Sequence, residues 1–282
     1  MNGRIKEWVN LPNIYITQNS NELAQELQKL NMGEYHKMIT LDIKDLYVNL
    51  PKLGIIQSTT IWLDRNKICT DEKVQILQLL NVIMEQNSFQ YNNQYYKPEK
   101  GIAMGSPISG TLTEIYLQLI EGRYIKHWIV NQDTVYYKRY VDDILIIIDT
   151  SRINENTVRD NMNNIDENLE FKITLETNNS INYLDMTIIR STKGMEINIY
   201  RKPTSTDIKI HHNSNHPQDH KDAAYRYYIH RMMTLPNTDG ARTQEKKYIL
   251  NTAKHNGFPT QHIINMIKKE IAKNKEKQDK AN

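Results

Sequence analysis

Two adjacent carboxylates, Asp142 and Asp143, lie between strand-like residues 135–140 and the apolar run 144–148. Burying charge there is costly unless something offsets it, and bound cations are the obvious compensation. An acidic pair in a tight turn is by itself ordinary turn chemistry. Asp42 changes the weighing, because it ends a second apolar stretch, residues 38–41, and would deliver a third carboxylate at a strand edge. Acids on neighbouring strands suit hard divalent ions that bind oxygen. Two such ions account for a phosphoryl transfer, one activating the attacking hydroxyl and the other stabilising the leaving oxygen. Successive strand residues face opposite ways, so at a hairpin tip Asp142 takes the larger role and Asp143 sits at the margin. Asp45 reads as a surface or structural acid.

The elements that must position these acids are a strand at 37–43, a hairpin at 135–149 with the Asp pair at its tip, and a strand at 171–176. A second hairpin is expected from 183–190 and 195–201, turning at Lys193-Gly194, and a shorter one from 89–96, turning at Asn92-Asn93. Helices are expected at 21–30 with Ser20 as cap, at 53–64, and at 71–87 with Thr70 as cap and acidic Asp71 and Glu72 in the first turn. A glycine-bearing loop, residues 101–109, opens into a helix reaching about residue 128, with Leu112, Ile115, Tyr116, Leu119 and Ile120 on one face. A polar helix near 153–168 follows, and from 217 onward the chain reads as helices at 217–235, 243–256 and 259–273, the last two separated by Gly257. No internal repeat or Pro/Gly/Ser-rich linker divides the 282 residues.

Composition bounds the function loosely. The balance of 36 Lys and Arg against 33 Asp and Glu gives a net charge of +3, which alone announces no nucleic-acid partner. The lysine-rich end, 268–280, reads first as a solvated helix end. Cys69 is the single cysteine, so disulfides within the chain and cysteine zinc sites are excluded and a reducing, intracellular compartment is expected. No apolar run approaches a membrane span, so no membrane partner is expected. His212, His216 and His220 are spaced by four, yet Pro217 interrupts any helix that would align them, and loop capping or phosphate contact is the better reading.

The blocks Leu41-Asp42-Ile43-Lys44-Asp45-Leu46-Tyr47, Gly101-Ile102-Ala103-Met104-Gly105-Ser106-Pro107-Ile108-Ser109 and Arg139-Tyr140-Val141-Asp142-Asp143-Ile144 resemble reverse-transcriptase palm motifs A, B and C, in that order. The resemblance is strongest to the reverse transcriptases of Penelope-like retroelements, relatives of telomerase. Asn182-Tyr183-Leu184-Asp185, Tyr200-Arg201-Lys202-Pro203-Thr204, Asn215-His216-Pro217 and Asn256-Gly257-Phe258-Pro259 resemble theirs as well. Met104, where the wider group has glutamine, is shared with that subfamily.

The resemblance implies an α+β right-hand polymerase: a palm of antiparallel sheet with packed helices, partial fingers and an α-helical thumb. Residues 1–37 would belong to the fingers, 38–190 to the palm and 191–282 to the primer-grip continuation and thumb. With 41 residues before Asp42, and Lys6, Lys29 and Lys37 in no matching motif, the fingers are expected to be truncated. The activity implied is RNA-directed DNA polymerisation. Asp42 and Asp142, assisted by Asp143, would hold two Mg²⁺ ions, with Mn²⁺ as the alternative. Tyr47, otherwise a core aromatic, would lie beneath the incoming sugar, with Met104, Gly105 and Ser106 also contacting the nucleotide. Gly101, Pro107, Tyr183, Leu184, Arg201 and Lys202 would meet nucleic acid, and thumb residues such as Lys221, Arg226 and Arg231 would track the duplex. Partners would be an RNA template, a DNA primer and deoxynucleoside triphosphates, in the nucleus. A remnant that binds nucleic acid without polymerising is the rival reading; a nucleotide cyclase would need neither the glycine loop and helix nor a helical thumb.

Overall fold

The structure is a computed structural model that describes residues 2–192 and 194–281, without the side chains of Asn2, Arg4, Lys275 and residues 277–281. Lys193, and with it half of the expected 193–194 turn, lies outside the described residues, as do most side chains of the lysine-rich end. In chain order the elements are α1 (Asn2–Trp8), α2 (Ser20–Gln28), β1 (His36–Ile43), α3 (Leu46–Asn49), α4 (Lys52–Arg65), α5 (Thr70–Glu85), β2 (Phe89–Tyr91), β3 (Gln94–Tyr96), α6 (Ser109–Val130) and β4 (Thr134–Tyr140). They continue as β5 (Asp143–Asp149), α7 (Glu155–Asn163), β6 (Phe171–Leu175), β7 (Ser180–Tyr183), β8 (Met186–Ser191), β9 (Gly194–Ile199), α8 (Gln218–Thr234), α9 (Asp239–His255) and α10 (Thr260–Ala281).

Two compact units result, residues 1–17 with 34–176, and residues 18–33 with 177–282. The first holds a four-stranded antiparallel sheet in the order β4-β5-β1-β6. Its central strand β5 is buried throughout Ile144, Leu145, Ile146, Ile147 and Ile148, which is why it reads as an unbroken apolar run rather than an alternation. One sheet face carries Ile39, Leu41, Ile43, Ile144, Ile146 and Ile148, which join the helices α4, α5 and α6 in a common core. Helix α6 is buried nearly all round from residue 111 to residue 121, with polar Thr113, Gln118 and Glu121 enclosed, while residues 122–130 are largely exposed. The Trp62 indole N–H of α4 donates to the Ile115 carbonyl of α6 over 3.0 Å, satisfying both groups in the core.

The second unit holds α2, the meander β7-β8-β9 and helices α8 to α10. Its core is Tyr225, Ile229, Met232, Ile249, Ala253, Phe258, Ile263 and Ile267. Gly257 ends the α9 region with φ +76, and an added Cβ would stand 2.6 Å from the His211 ring, so both backbone and space require glycine. Buried Asn256 ties the preceding extended segment to this turn, accepting from the Lys209 N–H and donating to the Asp207 carbonyl, each over 2.8 Å.

Several expectations shift. Helix α2 is capped by Asn19, whose side chain accepts from the Glu22 N–H, so Ser20 is its first residue. Thr70 likewise begins α5 and Cys69 occupies the cap position without a side-chain bond to a helix N–H. The polar helix α7 stops at Asn163 instead of 168, and there the Asn163 carboxamide bonds both Phe171 backbone groups as well as the Arg159 carbonyl of its own helix. Tyr183 closes the extra strand β7, and the hairpin strand begins only at Met186, after a turn in which Leu184 has φ +52. By contacts alone, the first unit ends at Glu176 and the meander belongs to the second.

Candidate active site

The β1–β5 register pairs Asp42 with Asp143, and the β1–β6 register pairs Asp42 with Lys172. Directly paired residues share a sheet face, so the two carboxylates lie side by side with an ammonium-bearing strand beyond. Like charges in register oppose pairing, and a cation between them would reverse that sign. Asp142 lies at the tip that joins β4 to β5, where its carbonyl accepts from the Ile43 N–H over 3.0 Å. The three acids predicted from sequence are therefore brought to one end of one sheet, Asp42 and Asp143 on the face opposite Leu41 and Ile144 and Asp142 at the adjoining tip. Their carboxylate oxygens are the right donors for a hard divalent ion. Among the described residues no three His, Cys, Asp or Glu side chains converge as a ready metal cluster.

The glycine loop is built against the segment that follows Asp42. Gly101 has φ +81, and a Cβ there would lie 2.7 Å from the Tyr47 carbonyl oxygen and 2.6 Å from that of Val48. The next N–H, of Ile102, donates to the Tyr47 carbonyl over 2.8 Å, and the Gly101 N–H reaches the Leu50 carbonyl over 3.2 Å. The Tyr47 side chain packs partly against the core. Ile102 and Ile108 anchor the loop, while Met104, Gly105 and Pro107 are exposed at its apex and Ser106 is half-buried. The Ser109 hydroxyl closes the loop by donating to the Ala103 carbonyl over 2.5 Å.

Comparison with known proteins bears on this arrangement. A family model described as reverse transcriptase (RNA-dependent DNA polymerase) matches residues 6–180. The chain belongs to the reverse transcriptase family. A second model, an animal helix-turn-helix domain, matches residues 208–268, the stretch carrying α8, α9 and the start of α10. Solved structures similar in fold include apo telomerase from Candida tropicalis, at TM-score 0.58 and 14% identity over 96% of this chain and 50% of that one. Telomerase from Candida albicans in complex with a TWJ fragment of telomeric RNA is similar at TM-score 0.55 and 12% identity, covering 89% of this chain and 45% of that one. The chain thus spans about half the length of these solved structures. No curated protein matches. The fold is that of the polymerase palm, mixed helix and antiparallel sheet, as the motif order leads one to expect.

One residue of this reverse transcriptase-family site escapes a reading based on sequence. Arg139 is 1% exposed and is the largest fully buried side chain. Its guanidinium grips Glu121 through Nε at 2.6 Å and Glu114 through both terminal nitrogens at 2.9 Å. One of those nitrogens also donates to the Val141 carbonyl over 2.9 Å. Val141 has φ +55, a conformation costly for a β-branched residue, at the tip beside the two acids. Tyr137 adds a 3.0 Å hydrogen bond to Glu121, and Gln118 one to Glu114. Burial pushes the Glu114 carboxyl up, but the Arg139 hydrogen bonds and charge outweigh it and hold the group below its usual range. Burial pulls Arg139 the other way, and its two carboxylates raise it further above its ordinary value. The acidic tip is thus clamped to the helix that begins at the glycine loop. A lone arginine in a strand gave no sequence signal for this; Glu114 and Glu121, seven apart on one helix, are the only hint.

In the second unit Tyr183 is 3% exposed, a core residue of the meander. Leu184 is half-buried at the turn beside it. Arg201 is committed to Glu245, with one N–H···O distance of 2.8 Å, whereas Lys202 is exposed. Pro217 caps α8, so His212 and His216 precede that helix and only His220 lies on it.

Proposed function

We propose that this chain forms the palm and thumb of an RNA-directed DNA polymerase of the Penelope-like retroelement kind. The observation that carries the reading is the register that sets Asp42 opposite Asp143, next to the tip residue Asp142. The telomeric RNA fragment held by the Candida albicans telomerase supports an RNA partner here.

Asp42 and Asp142, with Asp143 assisting, would hold the two Mg²⁺ ions, or Mn²⁺ in their place. When bound, such ions neutralise phosphate charge and lower the pKa of a coordinated hydroxyl. In the reaction, the primer 3′-oxygen forms a bond to the α-phosphorus of a deoxynucleoside triphosphate as the bond to pyrophosphate breaks. Arg139 serves as a positioning residue, fixing the tip relative to α6 so that the carboxylates stay aimed without reorganising. The Tyr47 ring would exclude a 2′-hydroxyl from the sugar by sterics. The open apex of Met104, Gly105, Ser106 and Pro107 offers a backbone that a nascent base pair can approach closely. Gly101 holds that loop on the backbone of Tyr47, which couples sugar selection to the loop.

Primer extension with purified chain, an RNA template annealed to a DNA primer, Mg²⁺ and deoxynucleotides tests the reading. Wild type should extend the primer, and Asp142→Asn should abolish extension while primer–template binding is retained. An Asp142→Asn variant that still polymerises would remove the metal assignment, and a wild-type chain that binds without extending would leave a nucleic-acid-binding remnant.

A further inference from the structure

The polymerisation chemistry does not use a cavity of about 470 Å³ within the second unit, lined by the segment after β9 and by side chains of α8 and α9. Its floor is a fixed stack. The Arg201 guanidinium lies 3.6 Å from the Tyr248 ring centroid and 5.6 Å from that of Tyr228, and Glu245 neutralises it. Arg231 is likewise committed, to Asp185 at 2.9 Å, and its guanidinium stands 5.3 Å from the Tyr227 ring. These two arginines hold rings in place and are not free for a ligand.

What remains open is of a different kind. Lys202 is exposed and Lys209 half-buried, and among the described residues neither has a carboxylate within ion-pair distance; the Lys209 ammonium bonds to the backbone carbonyls of Thr206 and Ile208 and stands 5.8 Å from the Tyr228 ring centroid. The hydroxyls of Ser205 and Thr206 lie in the same wall. Above them the Tyr227 ring is 54% exposed on α8, outside the unit's core. Two uncompensated ammonium groups with hydroxyls beside them suit one phosphate. An exposed ring suits one base, because stacking is sequence-tolerant and needs only a π-face. A duplex keeps its bases stacked inward and can offer this cavity only phosphates, so the pairing of the two features selects a strand whose base is free.

We propose that this cavity binds one unstacked nucleotide of a single-stranded nucleic acid, with the phosphate between Lys202 and Lys209 and the base on Tyr227. The proposal rests on the polymerase reading only for nucleic acid as the ligand class, and it concerns a strand outside the primer–template duplex.

Full-length chain is irradiated with a thymidine oligonucleotide carrying one 5-iodouracil, and adducts are mapped by mass spectrometry. Adducts on Tyr227, Tyr228 or Tyr248 are expected with the single strand, strongly reduced when the same strand is annealed blunt to its complement. They should persist in excess thymidine triphosphate. Tyr227→Ala should weaken oligonucleotide affinity about tenfold, the loss of one stacked base. Adducts absent from these tyrosines, equal yields on duplex, or full competition by free nucleotide would each overturn the proposal, the last in favour of a mononucleotide site. Asp142→Asn should keep the adducts, and a wild-type chain that fails to extend primers yet forms them loses the polymerase reading and keeps this one.

Discussion

Arg139 decides more about the acidic tip than the acids do. A fully buried ion pair is a poor source of net stability, because desolvation offsets most of the Coulomb gain and apolar replacements of the whole set are often neutral. Its burial at 1% exposure beside a strained Val141 therefore argues for aim rather than for stability. Removing one partner is a different matter. Arg139→Met leaves buried Glu121 and half-buried Glu114 without their cation, which should cost about 3–5 kcal/mol in denaturant unfolding. Arg139→Lys keeps the charge but not the fork that reaches two carboxylates and a carbonyl at once, so stability should recover in part. If the role is aim, extension by the folded lysine variant should still fall, in turnover more than in nucleotide affinity. A lysine variant that restores both stability and turnover would reduce Arg139 to a structural residue.

At the scale of elements, the joint between α6 and β4 carries a pH dependence whose sign follows from Glu114. Its carboxyl titrates below the ordinary value of 4.5 in the folded chain. A depressed carboxylate contributes stability that is fully present above the unfolded value and is lost as pH falls through the folded one. Unfolding midpoints should therefore drop on acidification below about pH 4.5, and Glu114→Gln should flatten that drop while lowering stability at neutral pH. An unchanged acid slope in the variant would show that the pair with Arg139 does not set it. Elements with strong local signals were legible in the sequence. The turn at Asn92 and Asn93 has φ of 48 and 59, as two-residue hairpins require, and β5 is the covered strand that its apolar run announces. Boundaries that depend on one side chain were less so, as with Asn19 capping α2 where Ser20 was expected, since either residue type is a good cap. Strand β7 was missed because Ser180–Tyr183 offers only four residues after Asn178 and Asn179, too short for an alternation to register. The acids of the site were visible because carboxylates between apolar runs violate an expectation. Arg139 was not, because its partners lie on a helix 18 and 25 residues away and a strand arginine ordinarily faces water.

For the whole molecule, a net charge of +3 makes binding to a polyanion a matter of placement rather than of overall field. Carboxylates cancel many of the cations individually, as Glu245 does Arg201 and Asp185 does Arg231. Only uncompensated groups release counterions when a strand binds, so the salt dependence counts them. For single strands the slope of log affinity against log salt is about −0.7 per neutralised phosphate. Replacing both Lys202 and Lys209 by alanine should then make the slope for a short thymidine oligonucleotide shallower by about 0.7, the share of the one phosphate they hold between them. Lys268→Ala with Lys269→Ala removes the same formal charge from α10, away from the cavity, and should leave the slope near the wild-type value. Equal changes in the two double variants would mean that the strand senses the summed charge of the chain, and the cavity lysines would lose their assigned phosphate.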